Sequence, residues 1–576
     1  MKKVINTEEF ISSKIGRLFF RVIQPLVDRK LGFYHINKYY NKILETKPKT
    51  SREFCDQVLL FSKTTINVDP LLKSELSQNS PVILVANHPH GHIDSMAIMQ
   101  LADETSQSSW KILANQMLRN IQEMSENTIP VFPQTTGNEK AANLKAIKAI
   151  HRTLKNGETL VMFPAGRVSG RHPEHGMICD LPWSAHPLVL AIKHNVPIVF
   201  CHVSGNNSET FLSIPPEQLK KRSIALAKEI GTHFNKTLTL THSFTMTPEL
   251  SSNINRYKNK EEILRAYNYI GVDKTEAKPV LDLSDDFSSF FTDSTINYHA
   301  LLSSSQEVVA DYNEFTSFFF QGHEEPVVME EVGRLRAKTF SMIGAGSGKE
   351  IDLSPEDDRY HHIVVTEKSS GKIAGAYRIG FTQAIRAEKG NGGMYLDSVF
   401  EIDPKFYNYI GDGMELSRSF IPPEFQKSPR ILDILWKSVG VVANKKGCRT
   451  LYGSVTISAD FTPLSQSILV DTLDRYYSGP QEVRSLIKNS NPFTPETSHH
   501  ALLTDAYSEH GLNALNKVIL ELENQQRPIP PLMRYYSTLG AKFHSFKIEP
   551  TFGNAIYCLL TVKIDEMTPR YRKRFF

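Results

Sequence analysis

The feature that most constrains this 576-residue chain is a recurring local pattern, in which short apolar runs alternate with helical periods. Pro81-Val-Ile-Leu-Val-Ala86 leads into a His-rich turn and a helix from about Ser95. Leu160–Phe163 follows a helical stretch over Leu144–Leu154, and Val196–Val203 follows another over Pro187–His194. Runs this short and apolar are buried strands, and their alternation with helices predicts an α/β fold. Residues 259–270 read as a closing helix, after which the periodicity weakens. The second half starts a different pattern. Glu330–Phe340 is helical, and His362–Val365 and Ile373–Arg378 are strands joined by a hairpin at Ser369-Ser-Gly371. Further elements are expected at Glu415–Phe420, Leu432–Asn444, Leu451–Ile457 and Ala555–Val562. No internal repeat relates the halves, so they are two different folds.

The length exceeds one ordinary core. We place a basic amphipathic segment at 1–50, a first domain at 51–270, a linker at 271–305 and a second domain at 306–576. With 40% hydrophobic and 22% charged residues the chain is globular, not disordered. Cys55, Cys179, Cys201, Cys448 and Cys558 are far apart with no Cys-x-x-Cys pair, which argues against a disulfide framework or zinc ribbon and fits a reducing compartment. No run of about 18 apolar residues predicts a spanning helix, and no secretory signal is evident. Charge is uneven. Residues 1–50 hold eleven Lys/Arg against four acids, and the chain closes on Arg570-Tyr-Arg572-Lys573-Arg574-Phe-Phe. Basic amphipathic ends read as membrane-surface elements. A core-packed helix with a solvated basic face has the same pattern.

The segment Asn87-His88-Pro89-His90-Gly91-His92-Ile93-Asp94 joins a buried strand to a helix. There Asp94 can hold one nitrogen of His88 and leave the other basic, able to take a proton from an attacking hydroxyl. The same residues also read as an N-cap with solvated histidines, or as a metal site of the metallohydrolase kind. Ser95 stands where such a metal motif has histidine, which counts against the last.

Downstream lie Phe163-Pro164-Ala165-Gly166-Arg167-Val168 and Val196-Pro197-Ile198-Val199. With the His88 block, these resemble in order the motifs of the glycerolipid acyltransferases, over roughly residues 60–270. The resemblance implies acyl transfer from a thioester to a hydroxyl, with His88 as general base, Asp94 orienting it, and Asn87, Phe163, Pro164, Gly166 and Arg167 lining the acceptor site. Five residues separate His88 from Asp94 instead of the commoner four, Ala165 replaces the motif glutamate, and Val168 replaces a polar position. In the family the positions of Ala165, Arg167 and Val168 help hold the acceptor's phosphate, so their change weighs against a glycerol-phosphate acceptor. Arg167 can instead meet an acceptor carboxylate, or be a plain surface arginine.

In the second half, Arg336 and Phe340 precede an acidic stretch running from Asp352 to Asp357-Asp358, then Arg378 and Glu415-Leu-Ser-Arg418. Read on a helix, Glu415 and Arg418 share one face. Acyl transfer to an amine needs a base for the ammonium proton and cations for an anionic group, and this set can supply both; a network of structural ion pairs is the plainer reading. The order of these blocks, with Ser419-Phe420-Ile-Pro-Pro-Glu-Phe-Gln426 and Pro530-Pro531-Leu532, resembles the N-acyltransferases that make lyso-ornithine lipid, relatives of acyl-homoserine-lactone synthases with a GNAT-like α/β fold. It implies a site of Arg336, Phe340, Asp352, Asp358, Arg378, Glu415 and Arg418, with Glu415 the base.

A chain joining the two resembles the bifunctional ornithine-lipid synthases. The resemblance implies that the second domain N-acylates ornithine with a 3-hydroxyacyl group and the first O-acylates that hydroxyl. It implies an acyl-carrier protein (or acyl-CoA) as donor, amino-acid and lyso-lipid substrates, and a peripheral place on the cytoplasmic face of a bacterial inner membrane. No cofactor, metal or nucleic-acid partner is expected. Glycine or another amino acid as acceptor, a lysophospholipid acyltransferase with an inactive second domain, and a metallohydrolase are the alternatives.

Overall fold

A computed structural model describes residues 24–29, 32–115, 121–131, 139–273, 275, 277–278, 296–346, 348–495 and 499–576. The chain divides into two compact units, residues 1–274 with 498–506, and residues 275–497 with 507–576. Much of the predicted linker, 279–295, and the Phe10–Ile23 part of the basic amphipathic segment lie outside the described residues.

The first unit is built on a seven-stranded sheet. Its strands are β1 (Thr65–Val68), β2 (Ile83–Ala86), β3 (Trp110–Asn115), β4 (Thr128–Val131), β5 (Thr159–Met162), β6 (Ile198–Val203) and β7 (Thr237–Met246). Their spatial order is β1-β7-β6-β2-β5-β3-β4, and only β6–β7 is antiparallel. The central strand β2 is wholly buried, as its unbroken apolar run requires. The helix Phe33–Leu44 buries Phe33, Asn37, Tyr40 and Ile43, one stripe at helical spacing. Tyr40 and Ile43 enter the same core as Phe54, Val58 and Leu59 of the helix Ser51–Ser62. In this half of the basic segment, the core-packed reading is the one observed.

The second unit carries an eight-stranded sheet of β8 (Glu307–Asp311), β9 (Phe315–Gln321), β10 (His361–Glu367), β11 (Ile373–Phe381), β12 (Gly413–Phe420), β13 (Thr450–Ile457), β14 (Lys542–Glu549) and β15 (Ala555–Lys563). The order is β8-β9-β10-β11-β12-β13-β15-β14, with only β12–β13 parallel. The helix Pro429–Lys446 packs across β8 to β11. Gly375 on β11 allows its close approach, since a Cβ there would meet Ile431 and Leu435 at 3.3–3.4 Å.

The parallel pair opens a cleft in this sheet. β12 and β13 are in register only from Gly413↔Thr450 to Leu416↔Gly453. Beyond that each strand continues with its other neighbour, and Ser417–Ser419 and Ser454–Thr456 line the cleft left between them.

Candidate active site

In the first unit, His88 stands where β2 ends. Its Nδ1 lies 3.1 Å from Asp94 Oδ2, a contact too bent for a well-formed hydrogen bond. Asp94 is fully buried in the first turn of the helix Ile93–Thr105. Its carboxylate accepts from the backbone N–H groups of His90 (2.9 Å), Gly91 (3.0 Å) and Ser95 (2.8 Å). Burial opposes ionisation, but the adjacent His88, and then the His90 interactions, outweigh it and hold this carboxyl well below its usual range. Burial likewise opposes a charge on His88, and Asp94 with a lesser share from Asp180 overcomes it, so His88 titrates above the ordinary histidine value. With Nδ1 facing Asp94, Nε2 is left as the basic nitrogen.

Asp180, absent from the sequence reading, is the hub beneath this pair. The His88 amide donates to its Oδ1 (3.2 Å), as does the Ser169 hydroxyl (2.5 Å), and Trp183 Nε1 donates to Oδ2 (2.9 Å). Ser169 N also donates to His88 O at 3.0 Å, so the His88 turn and the loop after Gly166 are held as one piece. An acid three residues before a tryptophan was the only local signal.

The other expected residues separate into near and far. The Phe163 ring lies 4.3 Å from the His88 ring, and buried Pro164 accepts from Ser184 N. Gly166, at φ +60°, turns the loop by donating to Phe163 O at 2.9 Å. Arg167 is exposed. Asn87 differs from its expected substrate-binding role. Its amide donates to Val203 O (3.0 Å) and accepts from Val203 N (2.7 Å), clamping β2 to β6. The three histidines of the turn diverge: His90 Nε2 faces Ser204 O at 3.0 Å, and the His92 ring lies toward Tyr39.

In the second unit, Glu415 lies on β12, not on a helix as expected. In a regular strand, residues three apart face opposite ways. Arg418 escapes this because it sits at a bulge. Ala376–Arg378 on β11 spans two steps while Phe420–Ser417 spans three, and Arg418 takes φ +52°. The turned guanidinium lies 5.3 Å over the Tyr395 ring, 4.9 Å over Phe552, and 3.5 Å from Asp352 Oδ2.

Glu415 is fully buried. Tyr360 OH donates to its Oε2 (2.7 Å) and Leu396 N to its Oε1 (3.0 Å). Burial pushes its pKa up to about 7, against the Tyr360 hydrogen bond and the Arg378 charge. Arg336 donates to Asp352 Oδ2 (2.8 Å) and to both oxygens of Asp357 (2.9 and 3.1 Å). Arg378 donates to Ser417 Oγ (3.0 Å) and Asp357 Oδ2 (3.2 Å). The acid that joins the arginines is therefore Asp357, not the expected Asp358. The capping box of Ser354 and Asp357 turns Asp357 inward and leaves Asp358 exposed. Phe340 lines the cleft beside Phe552, 5.4 Å away. Tyr360 and Tyr395 were missed by the sequence reading, because they meet Glu415 and the arginines only through long-range packing.

Arg336, Arg378 and Arg418 face Asp352 and Asp357, and beside them lies Glu415, raised by burial to about 7. Arg378 Nη2 and Arg418 Nε and Nη1 are buried without a hydrogen-bond partner among the described residues. Buried cationic donors left over in this way are poised to receive an anion.

Comparisons with known proteins agree with both halves of this picture. Residues 71–204 match the family described as "Acyltransferase", and residues 335–437 match the "Acetyltransferase (GNAT) domain". The glycine N(alpha)-acyltransferase of Bacteroides thetaiotaomicron is 26% identical over 43% of this chain and 77% of that protein. The lyso-glycine lipid O-acyltransferase of Phocaeicola vulgatus is 23% identical over 40% of this chain and 77% of that protein. The L-ornithine N(alpha)-acyltransferase of Agrobacterium fabrum is 24% identical over 38% and 70%. Two α/β units, one matching the acyltransferase family and one the GNAT domain, define the class: the chain is an acyltransferase. Its GNAT-like unit and its glycerolipid-acyltransferase-like unit are the two folds expected from the sequence.

Proposed function

We propose that the chain makes an amino-acid lipid by two successive acyl transfers. The observation that carries this is the set of buried guanidinium N–H donors of Arg378 and Arg418 that have no hydrogen-bond partner among the described residues, beside Glu415. An amino acid brings the missing carboxylate to Arg378 and Arg418, and its ammonium loses a proton to Glu415, directly or through a water. The freed amine attacks the thioester carbonyl of a 3-hydroxyacyl carrier protein (or acyl-CoA) whose extended arm lies in the β12–β13 cleft. The N–C bond forms, the thiol leaves, and the amide product keeps a 3-hydroxyl. In the first unit His88 Nε2 takes the proton of that hydroxyl as it attacks a second acyl thioester, and Asp94 stabilises the imidazolium formed; the ester C–O bond forms, the C–S bond breaks, and the imidazolium returns the proton to the leaving thiolate. The lyso-lipid acceptor and the acyl chains place the work at a membrane surface.

Ornithine is the amino acid that the sequence resemblance implies. A second reading has its own support. No carboxylate lines the cleft beside Arg418 among the described residues. Asp352 and Asp357 are already engaged by arginines, and glycine, which has no second ammonium, is compatible with this cleft. The test is mass spectrometry of lipids from a host without amino-acid lipids that expresses the chain. A diacylated amino-acid lipid supports the reading and its mass names the amino acid. Acylated glycerophosphate as the only new product overturns it.

A further inference from the structure

We propose that the paired helices Glu139–Lys155 and His186–His194 form a docking surface for an anionic lipid bilayer, separate from the basic chain ends. Four large apolar side chains stand in solvent here: Leu144 (54% exposed), Ile147 (50%), Val189 (49%) and Ile192 (36%). Their spacing sets them on the outer faces of the two helices, while Ala146, Leu154, Leu188 and Leu190 face inward. The helices touch through their histidines: His151 Nδ1 lies 2.7 Å from His194 Nε2. The two helices are therefore neighbours, and the exposed apolar residues belong to the outer side of one helical layer.

Past Glu139, these two helices carry charge of one sign, although the helix Pro248–Ile254 packed beside His186–His194 brings the exposed acid Glu249. Lys145, Lys148, Arg152, Lys155 and Lys193 are all exposed. No acid occurs between residues 140 and 157 or between 186 and 194. Apolar side chains interleaved with long cationic ones suit a membrane interface, where the stems follow the acyl chains and the heads reach phosphates. Purely cationic recognition of an acidic protein would leave the four apolar groups without a role. Each helix leads directly into a strand, β5 or β6, that flanks β2, so the first turns of both lie at the sheet edge where His88 stands. Docking here presents that edge to lipid. The inference rests on the lipid reading above.

The test uses full-length protein with Ile147→Cys or Ile192→Cys and an environment-sensitive dye on the introduced thiol, the native cysteines being buried. On vesicles of phosphatidylglycerol and phosphatidylcholine, both dyes should brighten and shift to the blue, and much less on pure phosphatidylcholine. A triple K148Q/R152Q/K193Q variant should bind the anionic vesicles more weakly, on the order of fivefold for each cation neutralised. Unshifted dyes on protein that still sediments with vesicles would overturn the proposal, as would unweakened binding of the triple variant. A dye response to acyl-carrier protein and not to vesicles would mark the face as a protein-docking surface instead. Acylation of detergent-dispersed lyso-lipid separates the two failures. If the wild type acylates it while the dyes stay silent, only the surface is wrong. If the wild type does not, the lipid reading is wrong.

Discussion

Glu415 and His88, the two proposed bases, are both raised above their ordinary values, by different causes. Burial raises Glu415 to about 7, so it is protonated below neutrality and becomes a base as pH rises through that value. The rate of N-acylation should therefore climb with an apparent pKa near 7, and Glu415→Gln should remove both that limb and the activity; a flat profile between pH 6 and 8 would refute the assignment. His88 is raised by the charge of Asp94. Asp94→Asn removes that charge, so the acid limb of O-acylation should move to lower pH while the rate falls roughly 10²- to 10⁴-fold. An unshifted limb at reduced rate would make Asp94 a structural residue only.

At the scale of elements, two glycines of the first unit are needed for different reasons. Gly91 takes φ +79° in the His88 turn, and a Cβ there would fall 2.5 Å from Val168 Cγ2. Gly166 takes φ +60° and a Cβ would meet nothing within 4 Å. Gly166→Ala should cost only the left-handed penalty of about 1–2 kcal/mol. Gly91→Ala should cost that plus the overlap, which overpacking puts at about 1–3 kcal/mol more. Thermal unfolding of the two variants checks the order, and equal losses would contradict the contact. The Arg418 bulge belongs to the same scale: one extra residue on β12 brings a side chain to the face of Glu415 that strand alternation would have sent away.

For the whole molecule, the two proposed reactions are ordered because the first creates the hydroxyl used by the second. His88→Ala should leave a monoacylated amino-acid lipid in cells, and Glu415→Gln should remove both lipids. Lipid extracts analysed by mass spectrometry decide, and full diacyl lipid from His88→Ala cells would discard the base assignment. The organisation is also less linear than the sequence suggests. Residues 498–506 group with the first unit, where Asp505 meets His175 and His499 meets Asp273.

The sequence by itself determined what depends on local order. Unbroken apolar runs became β2, β5 and β6, helical periods became the helices Glu139–Lys155 and Pro429–Lys446, and the Ser369-Ser-Gly371 turn joined β10 to β11 as an antiparallel pair. The His88–Asp94 pair was legible because both residues lie on one strand-to-helix turn. Tertiary structure alone decided the rest, because those features depend on residues far apart in the chain. Asp180 reaches His88 across ninety-two positions, and Tyr360 reaches Glu415 across fifty-five. Asn87 became a clamp because Val203 lies opposite it. Arg418 was misplaced on a helix because a bulge is defined by the partner strand, which no local period records. Asp357 was chosen over Asp358 by a capping turn that aims one carboxylate at Arg336 and its neighbour at water.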